Sequence, residues 1–299
     1  MDVVSLLQIG SAFLLNLGFT WLAGSWFARY WMHANGTARH ESEPGLRRLD
    51  WCAAALTAFA SALALLAATA VMGDVGLREA CPMFWMMLTS TDYGHAGCVT
   101  ILAMLALLAL RRGGGTGRAS DAGVGVALAV FAITRASMGH AGEDGLLSVA
   151  LAAEALHYAA IGVWTGAVLV SAWHALSDSR IAHAAAGSHD RYLDLMSQTA
   201  TLAVAVIFAT GAYSAWHRLG SAGQLLHTFY GVTLIIKVAL VLVAIALGGY
   251  NKFRGLPAAS RSAAGLRRVR TALRIESAVL MGAVLAASIL ISQQPPASM

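Results

Sequence analysis

Charge is what this chain has least of. Only 12% of its 299 residues are Asp, Glu, Lys or Arg, against 58% hydrophobic, and the mean hydropathy is +0.66. A soluble domain of this length carries about twice that charge, so a soluble fold is excluded. Cysteine is nearly as scarce. Three cysteines cannot build a disulfide framework, and without a Cys-X-X-Cys pair no closed tetrahedral zinc site is expected. No P-loop occurs, so any work must come from gradients or a partner. Long polar gaps are missing too: the longest, Arg29 to Asp50, is too short for a separate soluble domain. Function therefore belongs inside the apolar segments or at their faces.

What is present is eight apolar stretches, at about 3–28, 51–72, 94–110, 121–138, 149–175, 195–216, 228–250 and 272–291. A bilayer core takes roughly 20 helical residues to cross, and within lipid only helices satisfy their own backbone on this pattern. The expected fold is an all-α membrane protein, a bundle of eight transmembrane helices. Two halves are expected within one integral unit, 1–148 with outer Met/His/Cys loops and 149–299. The gaps alternate in charge. Gaps one, three, five and seven hold 15 Lys or Arg, among them Arg47, Arg48, Arg111, Arg112, Lys252, Arg267 and Arg268. The other face holds Arg78, Arg135 and Arg218. The positive-inside rule then puts both termini outside the cytoplasm. The first segment lacks a basic n-region and outlasts an ordinary h-region, so it reads as a span rather than a cleavable signal. A pI near 9.4 would suggest nucleic acid in a soluble chain. Here the charge follows topology, so anionic lipid headgroups are the expected partner and nucleic acid is not.

The outer gaps are rich in soft donors. Gap two holds Met72, Asp74, Glu79, Cys81, Met83, Met86 and Met87, followed by Asp92 and His95; gap four holds Met138, His140, Glu143 and Asp144; His217 and His227 bracket gap six. Acids outnumber bases on this face, which concentrates cations there. Thioether, thiol and imidazole together favour a soft metal, copper above all, and Cu(I) in particular. The plain reading of the methionines is packing filler, and that of loop histidines is solvation. Met138-X-His140 alone is a half-site. Cys81 and Cys98 lie toward the outer face, where one bridge would fit, and Cys52 toward the inner.

Ionisable residues inside the spans carry more weight, because each costs several kcal/mol unless paired or wetted. Glu154 and His157 stand three apart on one helix face, and Trp164 continues the stripe. At 1.5 Å per residue they lie roughly 7 and 12 Å deep, and Lys237 reaches roughly 13 Å from the same side. Arg135 sits near the outer end of segment four. One depth band on different helices implies a polar cavity open to the outside, with Lys237 as charge partner. The plain alternative is a structural Glu154–Lys237 pair and a satisfied core histidine. Glu276 reads as structural, paired with Arg274 or a basic loop. Gly162 and Gly166, like Gly282 and Ala286, place small residues four apart, as tight helix packing requires.

Segments five to eight resemble the copper resistance protein D (CopD) family. The matching residues are Leu156-His157, Trp164-Thr-Gly166, Thr210-Gly211, Thr228-Phe-Tyr230-Gly231, Leu234, Lys237, Gly248, Asn251, Glu276 and Pro295-Pro296. They span about 150–296. In the first half, Arg135-Ala-Ser-Met-Gly-His140-Ala resembles the family's Gly-His element. Leu195-Met196-Ser197 stands where the family has Arg-Phe-Ser, so that arginine's role is not carried over, and Thr165 replaces the first of a Gly-Gly pair. The resemblance implies a bacterial inner-membrane protein of copper homeostasis, moving copper beside a small periplasmic carrier, CopC, and not an enzyme. The metal site would draw on His157, Glu154, His140, Met138, His95, Met83, Met86 and Met87. A haem-bearing membrane oxidoreductase with transmembrane histidine ligands is the competing class. His157 has no obvious partner at matched depth for it. A scaffold with purely structural ion pairs is the third.

Overall fold

The computed structural model describes residues 2–34, 39–112, 117–145, 147–177, 189–218 and 228–293; the side chains of residues 39–43, His140, His217 and Arg218 lie outside that description. Described residues are helical almost throughout. The long helices are α1 (Val3–Ala34), α2 (Arg39–Gly73), α4 (Asp92–Arg112), α5 (Arg118–Ser137), α6 (Val149–Val170), α7 (Asp190–Arg218), α8 (Phe229–Tyr250) and α9 (Ala263–Ile291), with a shorter α3 (Leu77–Ser90) between α2 and α4. The eight long ones are apolar and long enough to cross a membrane, so the chain is a multi-pass membrane protein. Successive spans run antiparallel. Val3 and Ile291 therefore share one end of the bundle, the termini end, while Arg29, Arg111 and Arg270 mark the other, the basic end.

Polar residues start the helices and small ones bring them together. Ser148, Thr228 and Ser262 cap α6, α8 and α9, accepting the N–H groups of Leu151, Gly231 and Gly265 at 3.0–3.1 Å. At the crossing of α1 and α6, a Cβ on Gly24 would strike the Gly166 backbone, and one on Gly166 would strike Thr20 and Gly24. The small-residue spacing on α6 thus serves packing, as expected. α1 is shared by two cores. One, on the α2, α4 and α5 side, holds Leu15, Met104, Leu107 and stacked Phe19 and Phe131, whose rings lie 4.3 Å apart. The other, on the α6, α7 and α9 side, holds Trp31, Trp164, Tyr192 and Leu273.

Several residues read as loop are helical. α1 continues past Arg29 and α2 begins well before Asp50, which lets the two meet inside the bundle. Asp50, 1% exposed, accepts from Arg29 Nη2 at 2.6 Å, Ser25 Oγ at 2.9 Å and Trp21 Nε1 at 3.2 Å. Arg111 lies 3.7 Å from the same carboxylate and 3.3 Å from Asp121. Arg29, Arg111 and Arg270 are buried and so face protein rather than lipid headgroups. The second gap also contains a helix, α3. All three cysteines are free, so Cys81 and Cys98 form no bridge. At the basic end α6 and α8 each widen into a π-helical turn, Ser171–Ala175 and Asn251–Gly255.

Candidate functional site

Ser148 fixes where α6 begins, and Glu154 and His157 follow roughly one and two turns below the termini end. Both are half-buried. His157 Nδ1 lies 2.9 Å from Thr210 Oγ1 on α7. That hydroxyl has one hydrogen, and carbonyl acceptors on its own helix lie within its reach, Val206 O at 2.7 Å and Ile207 O at 3.3 Å. With that hydrogen on the Val206 carbonyl, Thr210 accepts from the ring, which puts the imidazole proton on Nδ1 and makes Nε2 the nitrogen that would face a metal. A hydrogen bond on one imidazole nitrogen setting the ligating face of the other is the usual arrangement at metal sites.

Glu154 has company on two sides. On α8, the Lys237 ammonium lies within electrostatic reach of its carboxylate. On its own helix, Tyr158 stands one turn below. The Tyr158 hydroxyl lies within electrostatic reach of Arg135 of α5, of Tyr93 and of Glu154. Arg135, 8% exposed, donates through Nη1 to Met138 Sδ at 3.6 Å. The structure thus brings Glu154, His157, Lys237, Arg135 and Met138 into one polar region toward the termini end. Tyr158 and Thr210 belong to it as well. Sequence reasoning gave neither a role, although Thr210 stood in the resemblance and Tyr158 lies four residues from Glu154.

The remaining described donors lie apart from this region. Met87 is 5% exposed, and its sulfur lies 3.3 Å from the Thr91 hydroxyl, which donates to Met87 O at 2.7 Å. Met83 packs on Gly73, while Met86 on the same helix is exposed. His95 Nε2 lies 3.2 Å from Thr89 O. His140 opens a short 3-10 turn, His140–Gly142; its side chain lies outside the described residues, as do the side chain of His217 and all of His227. Among the described residues no three His, Cys, Asp or Glu converge on a point that would hold a metal.

A second polar group lies toward the basic end. Glu276, 2% exposed, accepts from Trp164 Nε1 at 3.3 Å and from Asn251 Nδ2 at 3.5 Å. The expected pairing with Arg274 is not formed. Arg274 stacks over Trp173, 4.8 Å from the ring centre, because residues two apart on a helix point to different sides. Gly248 makes room for the carboxyl: a Cβ there would come within 3.3 Å of Oε1.

Eight spanning helices with ionisable side chains ordered between them define a polytopic membrane protein whose polar sites are built within the bundle. Residues 2–149 match the family described as copper resistance protein D-like, N-terminal domain, and residues 189–290 match copper resistance protein D. The chain belongs to the copper resistance protein D family, and membership implies copper resistance or handling, generally by transport rather than catalysis. Glu154, His157 and Trp164 fall between the two matched stretches. Neither curated proteins nor solved structures give a significant match.

Proposed function

We propose that this protein moves copper, as Cu(I), across the bacterial inner membrane, with both termini and α3 on the periplasmic side. The 15-to-3 bias of basic residues supports that orientation. Copper from a small periplasmic carrier of the CopC type, or from solution, is gathered by Met83, Met86, Met138, His95 and His140. Met87 is buried and takes no direct part in capture, serving to pack α3 beneath Met86. The copper passes to His157 and Glu154 within the bundle. His157 acts as a neutral ligand through Nε2, Glu154 as second ligand, and Lys237 balances the carboxylate when no metal is bound. Thioether donors at the mouth suit Cu(I).

The observation that carries this reading is the hydrogen bond between His157 and Thr210, which orients the ring one turn from a carboxylate. The test is copper uptake into vesicles containing purified protein, with absorption spectra of the same samples. His157→Ala and Glu154→Gln should abolish uptake while leaving insertion and yield unchanged. Wild-type uptake by His157→Ala would remove the intramembrane site, and a Soret band in the purified protein would turn the reading to a haem oxidoreductase. Activity of a cytoplasm-only reporter fused after Met299 would reverse the orientation.

A further inference from the structure

Glu276 is nearly sealed from solvent, yet no cation among the described residues serves it. Its hydrogen-bond partners are an indole and an amide, and no charged group of the helices packed around it acts on its carboxyl. Several charged and titratable side chains of those elements are held elsewhere, and Arg254, Arg267 and Arg268 are exposed. Arg29 of α1 holds Asp50, His174 of the α6 π turn lies against Gly45, and Lys237 of α8 acts on Glu154. Beyond α8, Lys252 donates to Thr201 at 2.9 Å. On α9 itself, Arg270 donates to Ala172 O at 3.3 Å and Arg274 covers Trp173. An ionised carboxylate so placed has a large desolvation cost and no opposite charge to offset it. A protonated one does not.

Asn251 fits both states of such a group. With Nδ2 toward Glu276 it donates to a carboxylate. With the amide turned over, its oxygen accepts the O–H of a carboxylic acid; an arginine or lysine has no acceptor to offer. In the orientation observed, Asn251 Oδ1 is buried without a hydrogen-bond partner, although the residue is only 3% exposed. A buried acceptor left unsatisfied is costly. It lies in the first residue of a π-helical turn, a feature that occurs frequently at functional sites.

We propose that Glu276 and Asn251 form a proton-exchange site in the basic half of the bundle. At rest the carboxyl holds the proton and gives its O–H to the Asn251 oxygen. On release the proton goes to water at the basic end, and the amide turns to donate to the carboxylate. Use of this site to couple copper movement to a proton gradient rests on the transport reading above.

The experiment is infrared difference spectroscopy of the full-length protein in lipid as pH is stepped, beside proton flux in vesicles with an entrapped pH-sensitive dye. The wild type should show a carboxylic C=O band that shifts in D2O. Glu276→Gln should lose it, Asn251→Leu should move its frequency, and Glu276→Asp should keep a shifted band. Copper addition should drive proton flux in the wild type, and Glu276→Gln should lose that flux while binding copper at equilibrium as the wild type does. A spectrum unchanged by Glu276→Gln overturns the site, and wild-type copper-driven proton flux in that variant overturns the coupling. If the wild type moves no copper but Glu276→Gln removes the band, the transport reading falls and the proton site stands.

Discussion

The two halves of this bundle each bury a carboxylate almost completely, and they treat it in opposite ways. Asp50, between α1 and α2, meets two guanidinium groups, a hydroxyl and an indole; Glu276, on α9, meets an indole and an amide. The first arrangement balances charge inside the fold, so it has one stable state and acts as a clamp at the basic end of α1, α2, α4 and α5. The second leaves charge to be balanced by a proton, so it has two states. Burial of an acid in a membrane therefore says little about its role until its partners are known. Between these extremes stands the Glu154 region, where Lys237 and Tyr158 share one carboxylate's field and His157, the proposed ligand, lies one turn away.

The largest effect should come from unbalancing the clamp. Asp50→Asn leaves Arg29 and Arg111 facing each other with the carboxylate gone, and breaking a buried pair from one side costs about 3–5 kcal/mol. Glu276→Gln exchanges one neutral-capable acceptor for another and should cost about 1 kcal/mol or less. Thermal unfolding in detergent, followed by size-exclusion chromatography, measures both. Equal stability of the two variants would break the comparison.

That contrast was only partly legible in the chain. Eight spans could be read because crossing length and apolar run are the same quantity, and all eight correspond to helices. A hydropathy reading, however, ends each span at its first charges. It therefore put Arg29, Asp50 and Arg111 in gaps, whereas paired charges can continue a helix into the bundle. The face and depth of Glu154 and His157 follow from helix spacing alone. Their partners do not: Thr210 is 53 residues from His157, and Trp164 is 112 residues from Glu276. Sequence proximity favoured Arg274 for Glu276, yet a neighbour two residues away on a helix cannot reach the same side. The family resemblance held more than was drawn from it, since Trp164, Gly248, Asn251 and Glu276 are four of its residues and meet at one carboxyl.

A middle-sized effect separates positioning from ligation in the Glu154 region. Thr210→Val keeps the shape of the side chain and removes the acceptor for His157 Nδ1–H. Loss of one such hydrogen bond costs about 1 kcal/mol in stability, so the fold should survive. Copper affinity should drop by about ten- to a hundredfold, the usual cost of losing the group that orients a ligating histidine. Thr210→Ser, which keeps the hydroxyl, should restore it. Copper titration of the purified variants checks this, and equal affinity of the Val and Ser forms would mean that the ring is held by something else.

The smallest effect should lie in α3, where two adjacent methionines differ in the same way as the two acids, one engaged and one not. Met87 is buried, with its sulfur 3.3 Å from the Thr91 hydroxyl, while Met86 is 59% exposed. Leucine conserves volume and removes the sulfur, and such core exchanges usually cost less than about 1.5 kcal/mol. Met87→Leu should therefore lower thermal stability slightly and leave copper capture alone, since its sulfur is buried away from solvent. Met86→Leu should leave stability alone and slow uptake only at limiting copper, where collection at the mouth controls the rate. At saturating copper the two variants should match the wild type. Uptake measured across copper concentration decides it: loss in Met87→Leu alone would mean that α3 rotates to expose its buried face, and loss in neither would return both residues to packing.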